Sequence, residues 1–255
     1  MNQVGEIMKR KRIVVVVPSY NNAKTVVEVL KELKHYTSDI ILVDDGCTDG
    51  TSELVADARL DIDVVSLKPN QGKGKALMAG FDRARERGFE FAVTIDSDGQ
   101  HCPGDLPRLV DACRDNALVV GQRTFDHENM PGGNTFANKF SNFWFTLQTG
   151  IKLDDTQSGY RIYPLNKLRW RSLITSRYEA ELEMMVFAAW HGVDIVKVPI
   201  RVYYPPAGER VTHFRPCKDF GRISLLNTAL CFGAGFYGWP VILWRKLKKS
   251  IKRLK

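Results

Sequence analysis

The sequence has few cysteines and no paired-cysteine motif. Its five cysteines are Cys47, Cys102, Cys113, Cys217 and Cys231. An odd number at scattered positions, with no CxxC pair, fits neither a disulfide framework nor a zinc knuckle. The N-terminus also lacks a long apolar run, because only Ile13–Val17 follows its first basic residues. That run is too short for the core of a signal peptide, so we expect a reducing, cytosolic compartment.

Acidic residues are missing from the C-terminal end. The chain of 255 residues has 37 basic and 29 acidic side chains and a net charge of +8. The last eleven residues, RKLKKSIKRLK, hold seven Lys or Arg and no acid, which leaves the rest at +1. This distribution excludes a diffusely basic nucleic-acid-binding protein. A hydrophobic fraction of 44% excludes a disordered chain, and the length fits one sizeable domain or two small ones.

The first hundred residues alternate strand and helix patterns. Buried strands are predicted at Ile13–Val17, Ile40–Val43, Val64–Leu67 and Phe91–Ile95. Residues 26–33, 51–58 and 76–87 between them have helical spacing. Repeated β-α units predict an α/β fold with a mostly parallel, doubly wound sheet and helices on both faces. Ligands of such sheets bind beyond the carboxyl ends of the strands.

The pattern is less regular after residue 115. A strand is predicted at Leu118–Gly121, helices at Asn134–Thr149 and Glu179–Trp190, and an extended segment at Ile195–Tyr204. There is no internal repeat and no low-complexity linker. We therefore predict one continuous domain over residues 12–222.

A second unit is predicted over residues 223–255. Ile223–Trp244 is 22 residues without a formal charge, which is long enough to span a bilayer. Because glycines interrupt it and the basic tail follows, we predict two apolar helices that reverse at Gly233–Gly235. This interfacial or re-entrant hairpin would lie at the cytoplasmic face, with the tail on an anionic membrane surface. The alternative is a buried helix pair with a solvated tail.

The strongest chemical signal is the DSDGQH segment at 96–101. Asp96, Asp98 and Gln100 follow a buried strand and offer the oxygen ligands that Mg²⁺ or Mn²⁺ prefers. Asp96 could instead reach a ribose hydroxyl. The competing interpretation is a surface turn, because Asp, Ser and Gly are common turn residues.

Two further loops are polar. Asp44 and Asp45 end the second strand and are candidates to accept hydrogen bonds from a nucleotide base, whereas Asp49 more simply caps a helix. A phospho-acceptor aspartate is the competing idea. The glycine-rich NQGKGKA segment at 70–76 does not have the spacing of a P-loop. Its glycines would let the backbone approach a ligand and leave Lys73 available near a phosphate or ribose. The alternative is a solvated basic loop.

The motifs gain specificity from their order. They are PSYNN (18–22), DDGCTDGT (44–51), NQGKGKALMAG (70–80), DSDGQH (96–101), GQR (121–123) and DDTQSGYR (154–161). This order resembles the inverting family 2 glycosyltransferases over residues 12–215. It is most similar to their dolichol-phosphate mannose synthase and polyprenyl-phosphate glycosyltransferase branch. The resemblance implies a GT-A fold with a Rossmann-like, nucleotide-binding half and a metal-binding DxD.

The resemblance also implies roles for single residues. Nucleotide contacts would come from Pro18, Tyr20 and Asp45, with Asp44 nearby, and the metal and diphosphate site from Asp96, Asp98 and Gln100. Arg123 would meet phosphate, Asp155 would act as base or orient the acceptor, and Arg161 matches the arginine of a GFR-like motif. Glu183 matches a glutamate beneath the site, although its spacing also fits a surface pair with Glu179.

Two departures bear on the substrate. Asn22 stands where the family usually has Glu. The loop at 203–216 lacks the arginine before glycine that the mannose-synthase branch would have there. Arg210 and Thr212 are the expected acceptor-binding residues in that loop.

The function that follows is transfer of a sugar, with inversion, from a nucleotide-diphosphate sugar to a membrane lipid. A divalent cation would assist, and polyprenyl phosphate is one candidate acceptor. The alternatives are transfer to a lipid or amphiphile hydroxyl, and a non-catalytic nucleotide-sugar-binding protein. No nucleic-acid partner is expected.

Overall fold

The computed structural model describes residues 3–123, 132–167, 173–204 and 216–253. Within these ranges the strands are β1 Ile13–Ser19, β2 Ile40–Asp44, β3 Asp63–Ser66, β4 Phe91–Thr94, β5 Ala117–Arg123, β6 Arg161–Pro164 and β7 Asp194–Ile200. They form one sheet in the order β3-β2-β1-β4-β6-β5-β7. Only β6 is antiparallel to its neighbours, β4 and β5. The predicted mostly parallel sheet is confirmed.

Helices cover both faces of the sheet. They are α1 Gln3–Lys11, α2 Val26–Lys34, α3 Thr51–Asp57, α4 Lys73–Glu86, α5 Leu106–Ala112, α6 Gly132–Thr149, α7 Glu179–Trp190, α8 Pro216–Gly233 and α9 Trp239–Arg253. Alternate residues of β1 enter two apolar clusters: Val14 and Val16 pack on the side of α4 and α7, and Val15 and Val17 on the side of α2 and α5. Burial on both faces explains why β1 is a continuous β-branched run.

Helix α4 begins three residues earlier than the sequence pattern predicts. Gly72 precedes it with a φ of 96°, which glycine adopts without a steric penalty. Gly80 lets the helix approach the sheet, because a Cβ there would clash with Val16 and stand 3.1 Å from Val43. The early start places Lys73 on the first turn of a helix that is packed directly against β1 and β2.

Strand β6 was not predicted from the sequence. It inserts between β4 and β5 and pairs Thr94 with Arg161 and Val120 with Arg161. The loop before β6 therefore passes between the carboxyl ends of β4 and β5. This insertion joins the second half of the chain to the nucleotide-binding half expected from the sequence.

The C-terminal segment corrects the predicted hairpin. The chain does not reverse at Gly233–Gly235, because the π-helical turn Ala234–Gly238 carries α8 on into α9. A Cβ at Gly233 would stand 2.9 Å from the Trp190 ring. Gly233 and Gly238 thus provide room for the Trp190 ring of α7, and the segment does not form a turn. The predicted domain boundary at 222/223 falls inside α8.

Candidate active site

The loops at the carboxyl ends of β1 and β4 are joined by hydrogen bonds. The Asn22 amide donates to the Ser97 hydroxyl at 2.8 Å. That hydroxyl donates to the carbonyl of Pro18 at 3.1 Å, and Thr25 donates to the Ser97 carbonyl. Asn22, which departs from the family pattern, therefore has a structural role here. Tyr20, on the same loop, is partly exposed.

The two aspartates at the end of β2, Asp44 and Asp45, are buried and hold loops in place. Asp44 accepts bonds from the Cys47 N–H and the Ser52 hydroxyl. Burial alone would raise the pKa of Asp44, but these bonds lower it. Asp45 accepts the N–H groups of Gln71 and Gly72, each at 2.8 Å, and burial raises its pKa more than those bonds lower it. Asp45 thus fixes the segment that leads into α4.

Lys73 joins two carboxylates from distant parts of the chain. Its Nζ lies 2.7 Å from Asp96 Oδ1 and 2.8 Å from Glu181 Oε2. Burial by itself would lower the pKa of Lys73, but the two negative charges raise it, so the ammonium stays charged. Burial likewise would raise the pKa of Asp96, but the Lys73 charge lowers it. This Lys73 cluster (Lys73, Asp96 and Glu181) lies at the carboxyl end of β4.

Asp98 lies beside this cluster in a different electrostatic environment. Its Oδ1 accepts the Gln100 N–H at 3.0 Å. Burial and the negative charge of Asp96 raise the pKa of Asp98 to about 6. Burial lowers the pKa of His101 to about 4, so its imidazole is neutral at pH 7 and adds no positive charge. A cation bound in addition to the Lys73 ammonium would therefore relieve the repulsion between Asp96 and Asp98.

The loop before β6 passes close to the cluster. A Cβ on Gly159 would stand 2.7 Å from Asp96 Oδ2 and 2.9 Å from Lys73 Nζ. The Thr94 hydroxyl fixes this approach by donating to the Gly159 carbonyl at 2.7 Å. Only glycine leaves room at this position for both charged groups, which gives the QSGYR segment a physical reason for its glycine.

Arg123 and Asp155 form an ion pair at the end of β5. Nε and Nη2 of Arg123 donate to the two oxygens of Asp155, the second at 2.8 Å, and Asp155 Oδ1 also accepts the Gln157 N–H. The side chain of Asp155 is fully buried and that of Arg123 is 13% exposed. Gln122 aligns the loop by accepting the N–H groups of 154 and 155. Two residues assigned separate roles from the sequence are thus one unit.

Arg161 is placed beneath the site. Its side chain is completely buried. It donates to the carbonyls of Ser158, Thr156 and Glu181. In this structure Arg161 therefore holds the loop of Asp155 against α7.

Glutamates on α7 differ in what they contact. Glu183 accepts bonds from Ile174 and Thr175 and anchors that turn. Glu179 and Glu183 are both buried, so the surface pair considered from the sequence is wrong. Glu181, which the sequence did not single out, reaches Lys73. The EAELEMM pattern offers three glutamates, and only the packing of α7 shows which one faces the site.

Arg210 and Thr212 lie outside the described residues. Of the other predicted site residues, those from Pro18 to Arg123 lie at the carboxyl ends of strands, in the loops that follow them or, for Lys73, on the first turn of α4. Asp155 contacts Arg123 at the end of β5. Across the described ranges no group of three or more His, Cys, Asp or Glu side chains could hold a metal ion. The donor set still fits a divalent cation that shares its ligands with a substrate. Asp96 and Asp98 supply two carboxylates, and Mg²⁺ typically takes one or two with waters and phosphate oxygens.

Several curated proteins are similar to this chain over most of its length. An undecaprenyl-phosphate mannosyltransferase of Micrococcus luteus is 33% identical over 210 residues, covering 78% of this chain and 86% of that protein. A polyprenol monophosphomannose synthase of Mycolicibacterium smegmatis is 30% identical over 203 residues, covering 74% and 77%. A UDP-N-acetylglucosamine–dolichyl-phosphate N-acetylglucosaminyltransferase of Methanococcus voltae is 30% identical, covering 77% and 88%.

Solved structures share the fold at lower identity. Glucosyl-3-phosphoglycerate synthase from Mycobacterium tuberculosis in complex with UDP has a TM-score of 0.64 at 22% identity, covering 91% of this chain and 83% of that one. The same enzyme with Mn²⁺, UDP-glucose and phosphoglyceric acid has a TM-score of 0.61 at 19% identity, covering 91% and 82%. These likenesses support the GT-A-like fold.

The family model for glycosyl transferase family 2 matches residues 14–173. That range runs from β1 through β6 and includes the Lys73–Asp96 contact and the Arg123–Asp155 pair. The match, together with relatives of about 30% identity over three quarters of the chain, confirms the resemblance inferred from the motifs. The chain is a glycosyltransferase and belongs to glycosyl transferase family 2.

Proposed function

We propose that this enzyme transfers a sugar from a nucleotide-diphosphate sugar to a polyprenyl phosphate, with inversion at the anomeric carbon. The main support is the Lys73 cluster with Asp98, which gathers carboxylates and one ammonium at the edge where such sheets bind ligands. Relatives named for undecaprenyl, polyprenol and dolichyl phosphates support the acceptor class. Transfer would occur at the cytoplasmic face of a membrane.

The donor would lie across the carboxyl ends of β1, β2 and β4. Its base and ribose would meet Pro18, Tyr20 and the loop that Asp44 and Asp45 hold. Lys73 would meet a phosphate or ribose oxygen. Asp45 would act mainly by fixing this loop, because its carboxylate already accepts backbone N–H groups of residues 71 and 72.

A Mg²⁺ or Mn²⁺ ion would be held by Asp96 and Asp98 with Gln100. When bound, it would neutralise the charge that develops on the departing nucleotide diphosphate. Burial and the negative charge of Asp96 both raise the pKa of Asp98, so a bound cation would favour its ionised form. Structures of glucosyl-3-phosphoglycerate synthase hold Mn²⁺ or Mg²⁺ together with UDP, which fits this assignment.

The acceptor would approach Arg123, whose guanidinium is oriented by Asp155. A phosphate oxygen of the acceptor would attack the anomeric carbon as the bond to the donor diphosphate breaks. An anionic phosphate needs no proton removed, so Asp155 acts as a positioning residue and Arg123 binds anionic oxygen. Arg161 would support both by holding the loop. Arg210 and Thr212 are proposed to add acceptor contacts from the 203–216 loop.

The acceptor class is tested by incubating the full chain with labelled nucleotide sugars, Mn²⁺ and either a polyprenyl phosphate or the matching polyprenol. We expect label in lipid with the phosphate, in a product cleaved by mild acid. Equal transfer to the polyprenol, in an acid-stable product, would instead favour a hydroxyl acceptor. No transfer to either lipid from a broad donor panel would contradict the proposed function.

The metal assignment predicts the behaviour of Asp98→Asn. Removing this carboxylate should lower Mn²⁺-dependent transfer by roughly 10²-fold or more, the size of loss seen when one electrostatic contact to a developing charge is removed. Steady-state transfer rates over a range of Mn²⁺ concentrations measure this. Asp111→Asn, on exposed surface of α5, is the matched control and should leave the rate unchanged.

The same variant should remain folded. Asp98 has a folded pKa of about 6 against an ordinary 3.8, so the native state takes up its proton first and gains stability as the pH falls from about 7 to 4. With a chelator present, Asp98→Asn should therefore be more stable than wild type at pH 8 and similar to it at pH 4. Urea unfolding at both pH values decides this, and a variant less stable at pH 8 would contradict the charge repulsion.

The Arg123–Asp155 pair makes a separate prediction. Asp155→Leu should lower the free energy of unfolding by about 3–5 kcal/mol, because it leaves a largely buried guanidinium without its carboxylate. Adding Arg123→Met should restore most of that stability, whereas transfer should stay lost. Urea unfolding and transfer rates measure both.

The control for this pair lies next to it in sequence. Asp154→Asn removes the exposed ion pair with Lys197 and should cost less than about 1 kcal/mol. A double variant that regained transfer would show that the pair serves only stability and does not hold the acceptor phosphate.

A further inference from the structure

The helix formed by α8, the π-helical turn and α9 carries an apolar stripe that the protein does not cover. We call it the outer stripe: Leu225, Phe232, Phe236, Leu243, Leu247 and Ile251. The spacings of seven or four residues place these side chains on one side of the helix. Phe236 is 86% exposed and Leu225 is 73% exposed. A continuous exposed apolar surface of this kind typically marks a site of interaction with a protein or a membrane.

The opposite side of the same helix is fixed to the domain. Leu226, Leu230 and Ala234 are buried against the core that includes α7. Trp239 donates from its indole to the Leu147 carbonyl of α6 at 3.1 Å, and Arg245 donates to the Trp190 carbonyl of α7 at 2.9 Å. The helix is therefore held lengthwise along the protein over most of its length.

This attachment bears on how the helix can meet a bilayer. The stretch Gly221–Lys248 is long and apolar enough to cross a membrane by length and composition. Crossing would require the buried side to leave the domain and expose the Trp190 surface. The observed packing favours a helix that lies along the membrane surface with one side on the protein.

The charges beside the outer stripe indicate what kind of partner the stripe would contact. No acidic residue follows Asp219, whereas the last eleven residues hold seven Lys or Arg. Lys246 and Lys248 are exposed next to the stripe, and the Lys248 ammonium lies 3.7 Å from the centroid of the Trp244 ring. An apolar side bordered by cations and a tryptophan is typical of helices that lie in the interface of anionic membranes.

Helix α6, which contacts the same C-terminal helix, also has exposed apolar side chains. Phe143 is 60% exposed and Leu147 is 49% exposed, and Leu147 adjoins Trp239. The neighbouring Asn142 binds the Asp154 carbonyl and the Thr156 N–H. Helix α6 thus connects its exposed apolar side chains to the loop that carries Asp155.

We propose that the outer stripe docks the enzyme flat on an anionic membrane, with the helix in the plane of the headgroups and without crossing the bilayer. Aromatic and aliphatic side chains would enter the boundary between headgroups and acyl chains, and the basic residues would contact lipid phosphates. Docking is measured as binding to vesicles that contain neither donor nor acceptor. A failure to dock is therefore distinct from a failure of the proposed transfer.

Vesicle flotation with the full chain tests the proposal. We expect binding to vesicles of equal parts phosphatidylcholine and phosphatidylglycerol, and much weaker binding to phosphatidylcholine alone or at high salt. Phe236→Asp should weaken binding by roughly tenfold or more, because the phenylalanine side chain that would enter the membrane is lost. Leu54→Asp, an equally drastic change at an exposed position of α3, should leave binding unchanged. Lys246→Gln with Lys248→Gln should weaken binding about tenfold at low salt.

Three results would overturn the proposal. Resistance of the bound protein to an alkaline wash would show that the helix crosses the bilayer. Equal binding by wild type and Phe236→Asp would remove the outer stripe from the contact. A failure to bind vesicles, together with a dimer in sedimentation that Phe236→Asp dissociates, would assign the stripe to a second copy of the chain.

Discussion

The contact of Lys73 with Asp96 and Glu181 brings together three charges from α4, the end of β4 and α7. Removing charged groups from water costs several kcal/mol for each ion, and mutual attraction offsets this only when the geometry is good. The Lys73 ammonium faces these two carboxylates with Asp98 nearby, and the buried guanidinium of Arg161 adds a second positive charge that acts on Asp96 and Glu181. Burial and the negative charge of Asp96 raise the pKa of Asp98. A divalent cation that arrives with a diphosphate would stabilise the ionised form of Asp98, which is the physical basis of the proposed nucleotide-sugar chemistry.

Much of the first half of the fold follows from its sequence. β1 and β2 are apolar runs, each followed by polar residues, and parallel strands bring such ends to one edge. The loops of Asp45 and Asp96 therefore lie at the same edge of the sheet, where β1 stands between their strands. The pattern does not predict β6, because RIYP is short, ends in proline and begins at the last residue of a motif that attracts a functional interpretation. Without β6, the distance in sequence between Arg123 and Asp155 hides their contact.

Two other differences also come from tertiary packing. Glu181 and Glu183 share the same local pattern, but α7 is buried on nearly every side, so its hydrophobic periodicity carries no information about which glutamate faces the site. The segment Gly233–Gly235 predicts a chain reversal when it is considered alone, but Gly233 and Gly238 have another role. In the structure they admit the Trp190 ring instead, and a π-helical turn keeps the helix continuous.

The two proposals fit one arrangement, in which the family 2 glycosyltransferase domain would rest on a membrane that contains a lipid acceptor. This arrangement depends on the cation that we propose at the end of β4. Manganese anomalous scattering from crystals grown with Mn²⁺ and UDP or GDP tests it most directly. The account predicts a peak within coordination distance of Asp98 and the diphosphate, with Asp96 or Gln100 alongside. Nucleotide bound at this edge with no manganese near residues 96–100 would contradict it.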